Sequence, residues 1–113
     1  METTDPRILA QMRKGIVEFC VLAHLRHGES YGREIATSLA SNPAVLTSEG
    51  TLYPLLARLR KQGWVQTSWT PSGSGPPRRY YTLTDDGAAA LDAFTAAWEP
   101  FNTAVTAILE TER

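Results

Sequence analysis

Ser48–Gly63 reads SEGTLYPLLARLRKQG, and the rest of the chain is arranged around it. Leu52, Leu55, Leu56 and Leu59 fall at i, i+3, i+4 and i+7, the spacing of a helix with one apolar face. The opposite face holds Gly50, Pro54, Ala57 and Lys61, flanked by Tyr53 on one side and by Thr51 and Arg58 on the other. Ser48 is placed to cap the start and Gly63 to cap the end. Pro54, one to two turns in, forfeits a backbone hydrogen bond and predicts a loosened first turn. The outer face is small, smooth and cationic at one end, which suits a flat anionic surface such as the major groove of DNA, wide enough to admit a helix. An ordinary amphipathic helix has the same leucine spacing, so the flanking segments decide between the two.

Upstream, the pattern predicts one helix from Arg7 to Arg26, with Pro6 near its first turn and Ile8, Met12, Ile16, Phe19, Ala23 and Leu25 as core positions. His27-Gly28-Glu29 reads as a stop. Ser30 is an N-cap for a second helix, Tyr31 to Ala40, which turns Ile35, Ala36 and Leu39 inward before Asn42-Pro43 ends it. Downstream, Trp64 to Thr70 is rich in aromatic and β-branched residues and reads as a strand. The loop Pro71-Ser72-Gly73-Ser74-Gly75-Pro76-Pro77 follows, then a second alternating strand from Arg79 to Thr84. Together they predict a two-stranded β-hairpin with a basic tip. Thr84 caps a last helix that begins with Asp85 and Asp86, acidic residues suited to the positive end of the helix dipole. In that helix Leu91, Phe94, Trp98, Phe101, Val105 and Ile108 form an a/d seam. So short a chain has little core left to cover three aromatics, so the seam predicts a second copy across it. Pro100 predicts a kink there.

Length and composition fit one continuous soluble domain, divided here into 1–84 and a C-terminal helix, 85–113. No apolar run is long enough to span a membrane and the N-terminus lacks a secretory signal, so the expectation is a cytoplasmic protein without membrane contact. Cys20 is the single cysteine, which excludes an internal disulfide; it reads as a core filler, with redox sensing as the alternative role. The formal net charge of −1 hides segregation. Between residues 48 and 84, Arg58, Arg60, Lys61, Arg78 and Arg79 face Glu49 alone, whereas beyond residue 84 only Arg113 offsets six acidic side chains. His24 and His27 are three apart, a spacing compatible with a metal, but no carboxylate or cysteine pattern accompanies them, so they read as solvent-facing and no metal site is expected. No Ser-His-Asp or paired-carboxylate arrangement is legible, so neither an enzyme nor a cofactor is expected.

Three helices followed by a basic hairpin give the order of a winged helix-turn-helix, an α+β, mostly helical fold. In it the third helix enters the major groove and the hairpin wing reaches the backbone or the adjacent minor groove. The residues also carry a family resemblance. Gly15-Ile16-Val17-Glu18, Tyr31-Gly32-Arg33-Glu34-Ile35, Gly50-Thr51-Leu52-Tyr53-Pro54-Leu55-Leu56 with Arg58-Leu59 and Gly63, and Arg79-Tyr80-Tyr81-Thr82-Leu83-Thr84 before Gly87 occur in order and at family-like spacing. On these pieces the chain resembles PadR-family transcriptional regulators, of the small subfamily with one C-terminal helix. Arg60 departs from that pattern, where the family usually has a glutamate, and the Ser/Gly/Pro wing loop is longer.

The expectation is a homodimeric, sequence-specific DNA-binding repressor acting on an inverted-repeat operator. Ser48, Thr51, Tyr53, Arg58, Lys61, Arg78 and Arg79 are its DNA surface, with a core role as the alternative for Tyr53 and a solvated loop end as the alternative for Arg78 and Arg79. Leu91, Phe94, Trp98, Phe101, Val105 and Ile108 are the dimer interface. The resemblance further implies that Phe94, Trp98 and Phe101 line a pocket for a planar aromatic effector, since the family includes regulators that hold such compounds between the C-terminal helices of the dimer and Trp98 occupies the position of the tryptophan found there. The competing function is a protein-interaction adaptor that uses the aromatic C-terminal helix and binds no nucleic acid.

Overall fold

The computed structural model describes residues 5–46 and 48–111. Their order is α1 (Pro6–Arg13), α2 (Val17–Leu25), β1 (Ser30–Tyr31), α3 (Gly32–Ala40), a 3₁₀ turn (Glu49–Thr51), α4 (Leu52–Lys61), β2 (Val65–Thr70), β3 (Arg78–Leu83) and α5 (Asp85–Glu110). The result is a winged helix: a helical core with a small antiparallel sheet at its side and a long final helix.

The leucine stripe of α4 is buried as its spacing requires, with Leu52, Leu55, Leu56 and Leu59 all in the core. They pack with Val17, Val21, Leu22 and Leu25 of α2, Ile35 and Ala36 of α3, and Val65, Tyr81 and Leu91. The first turn is loosened: it is 3₁₀, and α4 begins at Leu52, so Pro54 is the third residue of the α-helix. There its missing N–H is one that would have no intrahelical partner anyway. Ser48 holds the N-cap position without a side-chain cap bond; instead its carbonyl accepts from the Thr51 hydroxyl at 2.9 Å. At the other end the Gly63 N–H donates to the Arg60 carbonyl and the Trp64 N–H to that of Leu59, with Gly63 at φ +82°, a Schellman closure.

Two expectations about the N-terminal half are corrected. The helix drawn from Arg7 to Arg26 is two helices, because Gly15 adopts φ +79° and breaks the run. Of its expected core positions only Leu25 is fully buried; Ile16 and Phe19 are half-buried, Ala23 is exposed, and Ile8 and Met12 are 53% and 60% exposed. The break rotates α2 so that Val17, Val21 and Leu22 face the core. Second, Ser30 and Tyr31 are not the cap and first turn of a helix but a short strand, pairing Ser30 with Tyr81 and Tyr31 with Tyr80. The predicted hairpin thus becomes a three-stranded sheet of order β1-β3-β2, whose β2–β3 register runs from Val65↔Leu83 to Thr70↔Arg78.

The ends of α4 and α5 are tied together. The Thr84 hydroxyl donates to the Gly63 carbonyl at 2.7 Å and accepts from the Gly87 N–H at 3.0 Å, so one side chain serves the stop of α4 and the start of α5. Gly87 lies against the Trp64 carbonyl, where a Cβ would collide. Arg26 adds a link from the end of α2 to Asp92, at 2.6 Å. Beyond that point α5 runs on through Pro100 without leaving the helical state.

Candidate nucleic-acid interface

Because the leucines of α4 anchor its inner side, the outer side is forced to the surface: Ser48, Thr51, Tyr53, Pro54, Ala57, Arg58 and Lys61 are all exposed. Two of these are less free than the sequence suggests. Arg58 places one guanidinium nitrogen 3.3 Å from Glu18 Oε2 on α2, a side chain that is itself mostly buried, so part of its charge is answered within the chain. Tyr53 donates its hydroxyl to Glu49 Oε2 at 2.7 Å. That hydrogen bond, then partial burial and the Glu49 charge, pushes the Tyr53 pKa up to about 12. The ring lies against Gly32 at the start of α3, so Tyr53 is part packing element and part surface. Lys61 is without a carboxylate partner among the described residues.

Arg78 and Arg79 open β3, opposite Thr70 and Trp69, at the loop end of the wing. Neither is paired with a carboxylate among the described residues. Each is stacked instead: the Arg78 guanidinium carbon is 4.3 Å from the centre of the Tyr31 ring, and that of Arg79 is 4.9 Å from the Trp69 ring. A ring face of this kind attracts the cation and leaves the in-plane N–H donors free. Trp69, 62% exposed at the wing, was not selected from the sequence, where it reads only as a strand aromatic. Arg33 and Tyr31 were also missed: both border an open cleft with Tyr53, Arg78 and Arg79, and that proximity has no local sequence signal.

The aromatic seam of α5 divides at its first turns. Leu91 is core, and Phe94 is half-buried, stacked on Phe19 of α2 with ring centres 4.4 Å apart and planes 8° from parallel. Trp98 continues the stack on Phe94 at 5.7 Å. From there the seam is uncovered, with Phe101 62% and Ile108 61% exposed beside Val105 and Leu109. Leu91 is therefore corrected from interface to core, because the folded body already covers it.

His24 does not simply face solvent. Its Nε2 is 3.1 Å from Ser30 Oγ, which donates in turn to Glu34 Oε1 at 3.0 Å. The order differs from that of a nucleophilic triad: the serine is central, buried, and gives its proton to the carboxylate, so it is not activated by the histidine. Cys20 is half-buried and burial pushes its thiol pKa up, away from the reactive thiolate. No helix among the described residues is long and apolar enough to cross a membrane.

Residues 21–93, from within α2 to within α5, match the transcriptional regulator PadR-like family. Among solved structures, a PadR family transcriptional regulator from Eggerthella lenta is 35% identical with a TM-score of 0.81, over 93% of this chain and 91% of that one. A PadR-like transcriptional regulator from Bacillus cereus is 37% identical with a TM-score of 0.76, over 88% of this chain and 96% of that one. A PadR-like transcription factor from Bacteroides fragilis is also 37% identical, with a TM-score of 0.74 over 90% and 98% of the two chains. A curated but uncharacterised relative from Lysinibacillus sphaericus is 26% identical over 87 residues, 75% of this chain and 80% of its own.

Proposed function

This chain belongs to the PadR-like family of transcriptional regulators, and from that premise we propose that it is a homodimeric repressor that reads an inverted-repeat operator and is released by a planar aromatic effector. Its relatives are regulators and not enzymes, and it acts as they do, by binding. The observation that carries the reading is the outer side of α4. Thr51, Pro54, Ala57 and Lys61 are exposed in a row by leucines buried beneath them, next to a wing whose arginines lack anionic partners within the described chain. A small-residue face permits close entry into the major groove, and the cations at its end and on the wing meet phosphates.

Ser48, Thr51, Tyr53, Arg58, Lys61, Arg78 and Arg79 form this surface in the proposal. Arg58 contributes with the nitrogens it does not spend on Glu18. The uncovered seam from Phe94 to Ile108 joins two copies, and the two-fold axis that results calls for half-sites about one helical turn apart or a multiple of it. The stack Phe19–Phe94–Trp98 ends in an open indole face, and the partner's indole facing it makes a slot for a flat apolar compound, with Phe101 at its edge. Such an effector acts by favouring one relative orientation of the two wings.

A gel shift of the protein on the DNA upstream of its own gene tests the reading, with Lys61→Ala and the double variant Arg78→Ala, Arg79→Ala alongside. A retarded band that weakens in each variant, with a shallower salt dependence, is the expected result. Absence of any shift at low salt while the protein remains dimeric would overturn DNA binding in favour of an adaptor that works through α5.

A further inference from the structure

Between α3, the start of α4 and the wing lies an open cleft of about 380 Å³ bordered by Tyr31, Arg33, Glu49, Tyr53, Arg78 and Arg79. Three of those six side chains are arginines, contributed by two elements more than forty residues apart in sequence. None is paired with a carboxylate among the described residues. The single carboxylate of the cleft, Glu49, is taken by the Tyr53 hydroxyl at 2.7 Å. Glu34, next to Arg33 in sequence, accepts from Ser30 and from the Tyr31 N–H.

The arginines are also held in place. Tyr31 lies beneath Arg78 at 4.3 Å and Trp69 beneath Arg79 at 4.9 Å, contacts that use the guanidinium faces and leave their edges unspent. Arg79 Nε is buried with no hydrogen-bond partner. Like charges around one cleft repel one another, and an oxyanion between them relieves the repulsion while accepting paired N–H donors from the planar fork.

We propose that this cleft is a phosphate clamp, closing on one phosphodiester of bound DNA with Arg33 of α3 on one side and Arg78 and Arg79 of the wing on the other. The clamp rests on the DNA-binding reading above and adds α3 to the contact surface through Arg33. It also gives the stacked aromatics a role: Tyr31 and Trp69 position the wing arginines and touch no phosphate themselves. A free phosphorylated compound offers the same oxyanion chemistry. The placement beside the exposed face of α4 favours the DNA backbone as the source.

Arg33→Gln is the test variant, since Arg33 is exposed and its side chain makes no hydrogen bond among the described residues, so the fold is retained. Wild type, Arg33→Gln, Arg33→Lys and Lys61→Ala are titrated on one labelled duplex across a range of salt, followed by anisotropy. Arg33→Gln is expected to lose about tenfold in affinity and to flatten the salt slope by about one unit. Arg33→Lys should keep the slope and recover only part of the affinity, because it restores the charge without the fork. Replacing single phosphodiesters by neutral methylphosphonates should reveal one position that weakens wild type more than it weakens Arg33→Gln, which keeps only Arg78 and Arg79 on that phosphate. Wild-type affinity and slope in Arg33→Gln, with Lys61→Ala weakened, overturns the clamp and leaves the DNA-binding reading standing. No duplex binding by wild type at low salt overturns that reading, and the clamp with it. In the absence of DNA, inorganic phosphate at matched ionic strength should not raise the melting temperature of wild type above that of Arg33→Gln. A phosphate-specific rise confined to wild type, with equal DNA affinities, would assign the cleft to a free anion and overturn the proposal.

Discussion

Tyr53 serves two neighbours at once, its ring filling the space over Gly32 and its hydroxyl donating to Glu49. The folded state therefore holds the phenolic proton more tightly than the unfolded chain, whose tyrosine has the ordinary pKa of 10.0. A raised pKa contributes stability that is full below the unfolded value and is lost as pH rises through the folded one, here from about 10 to about 12. Ultraviolet titration should show Tyr53 ionising near 12, and Glu49→Gln should bring it back toward 10.0. A Tyr53 phenol titrating near 10.0 in the wild type would mean that the contact to Glu49 is not made in solution. Gly87 offers a steric counterpart. A Cβ there meets the Trp64 carbonyl, so Gly87→Ala should destabilise by about 1–3 kcal/mol, read from the urea midpoint. Gly50→Ala, with open space around the added carbon, should stay within about 0.5 kcal/mol of wild type.

At the level of the element, α4 is held by its four leucines and displays whatever lies opposite them. Leu56 is fully buried, so Leu56→Ala should cost about 2–5 kcal/mol in chemical denaturation. Lys61→Ala, on the opposite side, should leave that midpoint in place and lower only DNA affinity. If Lys61→Ala were to unfold the protein, the division of α4 into an anchoring and a displayed side would be wrong. The elbow between α1 and α2 depends on one backbone conformation. Nothing lies within 4 Å of a Cβ added at Gly15, so the cost of Gly15→Ala is conformational alone, about 1 kcal/mol for a residue at φ +79°. An effect near zero would show that the elbow straightens without penalty and that α1 and α2 can run together, as the sequence pattern predicts.

The whole molecule measures 59 × 32 × 21 Å, and the long dimension reflects α5, about 39 Å of helix. Contacts to the body are concentrated in the first part of α5, through Gly87, Leu91, Asp92 and Phe94. The remainder presents Trp98, Phe101, Val105, Ile108 and Leu109 to solvent, and the proposed dimer would cover this apolar row. Sedimentation at micromolar concentration should therefore give a dimer. Phe101→Glu with Ile108→Glu should give a folded monomer, since neither side chain supports the body. Loss of the dimer should also weaken operator binding, because two half-sites are then engaged independently. Planar aromatic compounds should quench Trp98 fluorescence and lower DNA affinity over the same concentration range. Flat responses across a broad panel, with Trp98→Ala still dimeric and DNA-binding, would leave Trp98 as interface packing only.

Leucine periodicity, the caps at Thr84 and Gly63, the wing strands and the α5 seam were legible in the sequence because each is written within a few residues of itself. A helix repeats every three to four positions and a strand every two, and an N-cap binds the backbone two or three residues on, so these signals survive without the fold. The resemblance to PadR regulators rests on the same short segments. What only the tertiary structure decided involves partners distant in the chain. Gly15 sits between two segments that both carry helical apolar spacing, where the sequence pattern tolerates a glycine, and only the packing of α2 on α3 and α4 exposes the break. Ser30-Tyr31 is a strand solely because β3 offers it an edge. Glu18 claims part of Arg58 from forty residues away, and His24, Ser30 and Glu34 line up across three elements. Arg33 joins Arg78 and Arg79 only after the sheet brings the start of α3 beside the wing, because side-chain proximity across elements is set by how the faces pack and leaves no periodic mark in the sequence.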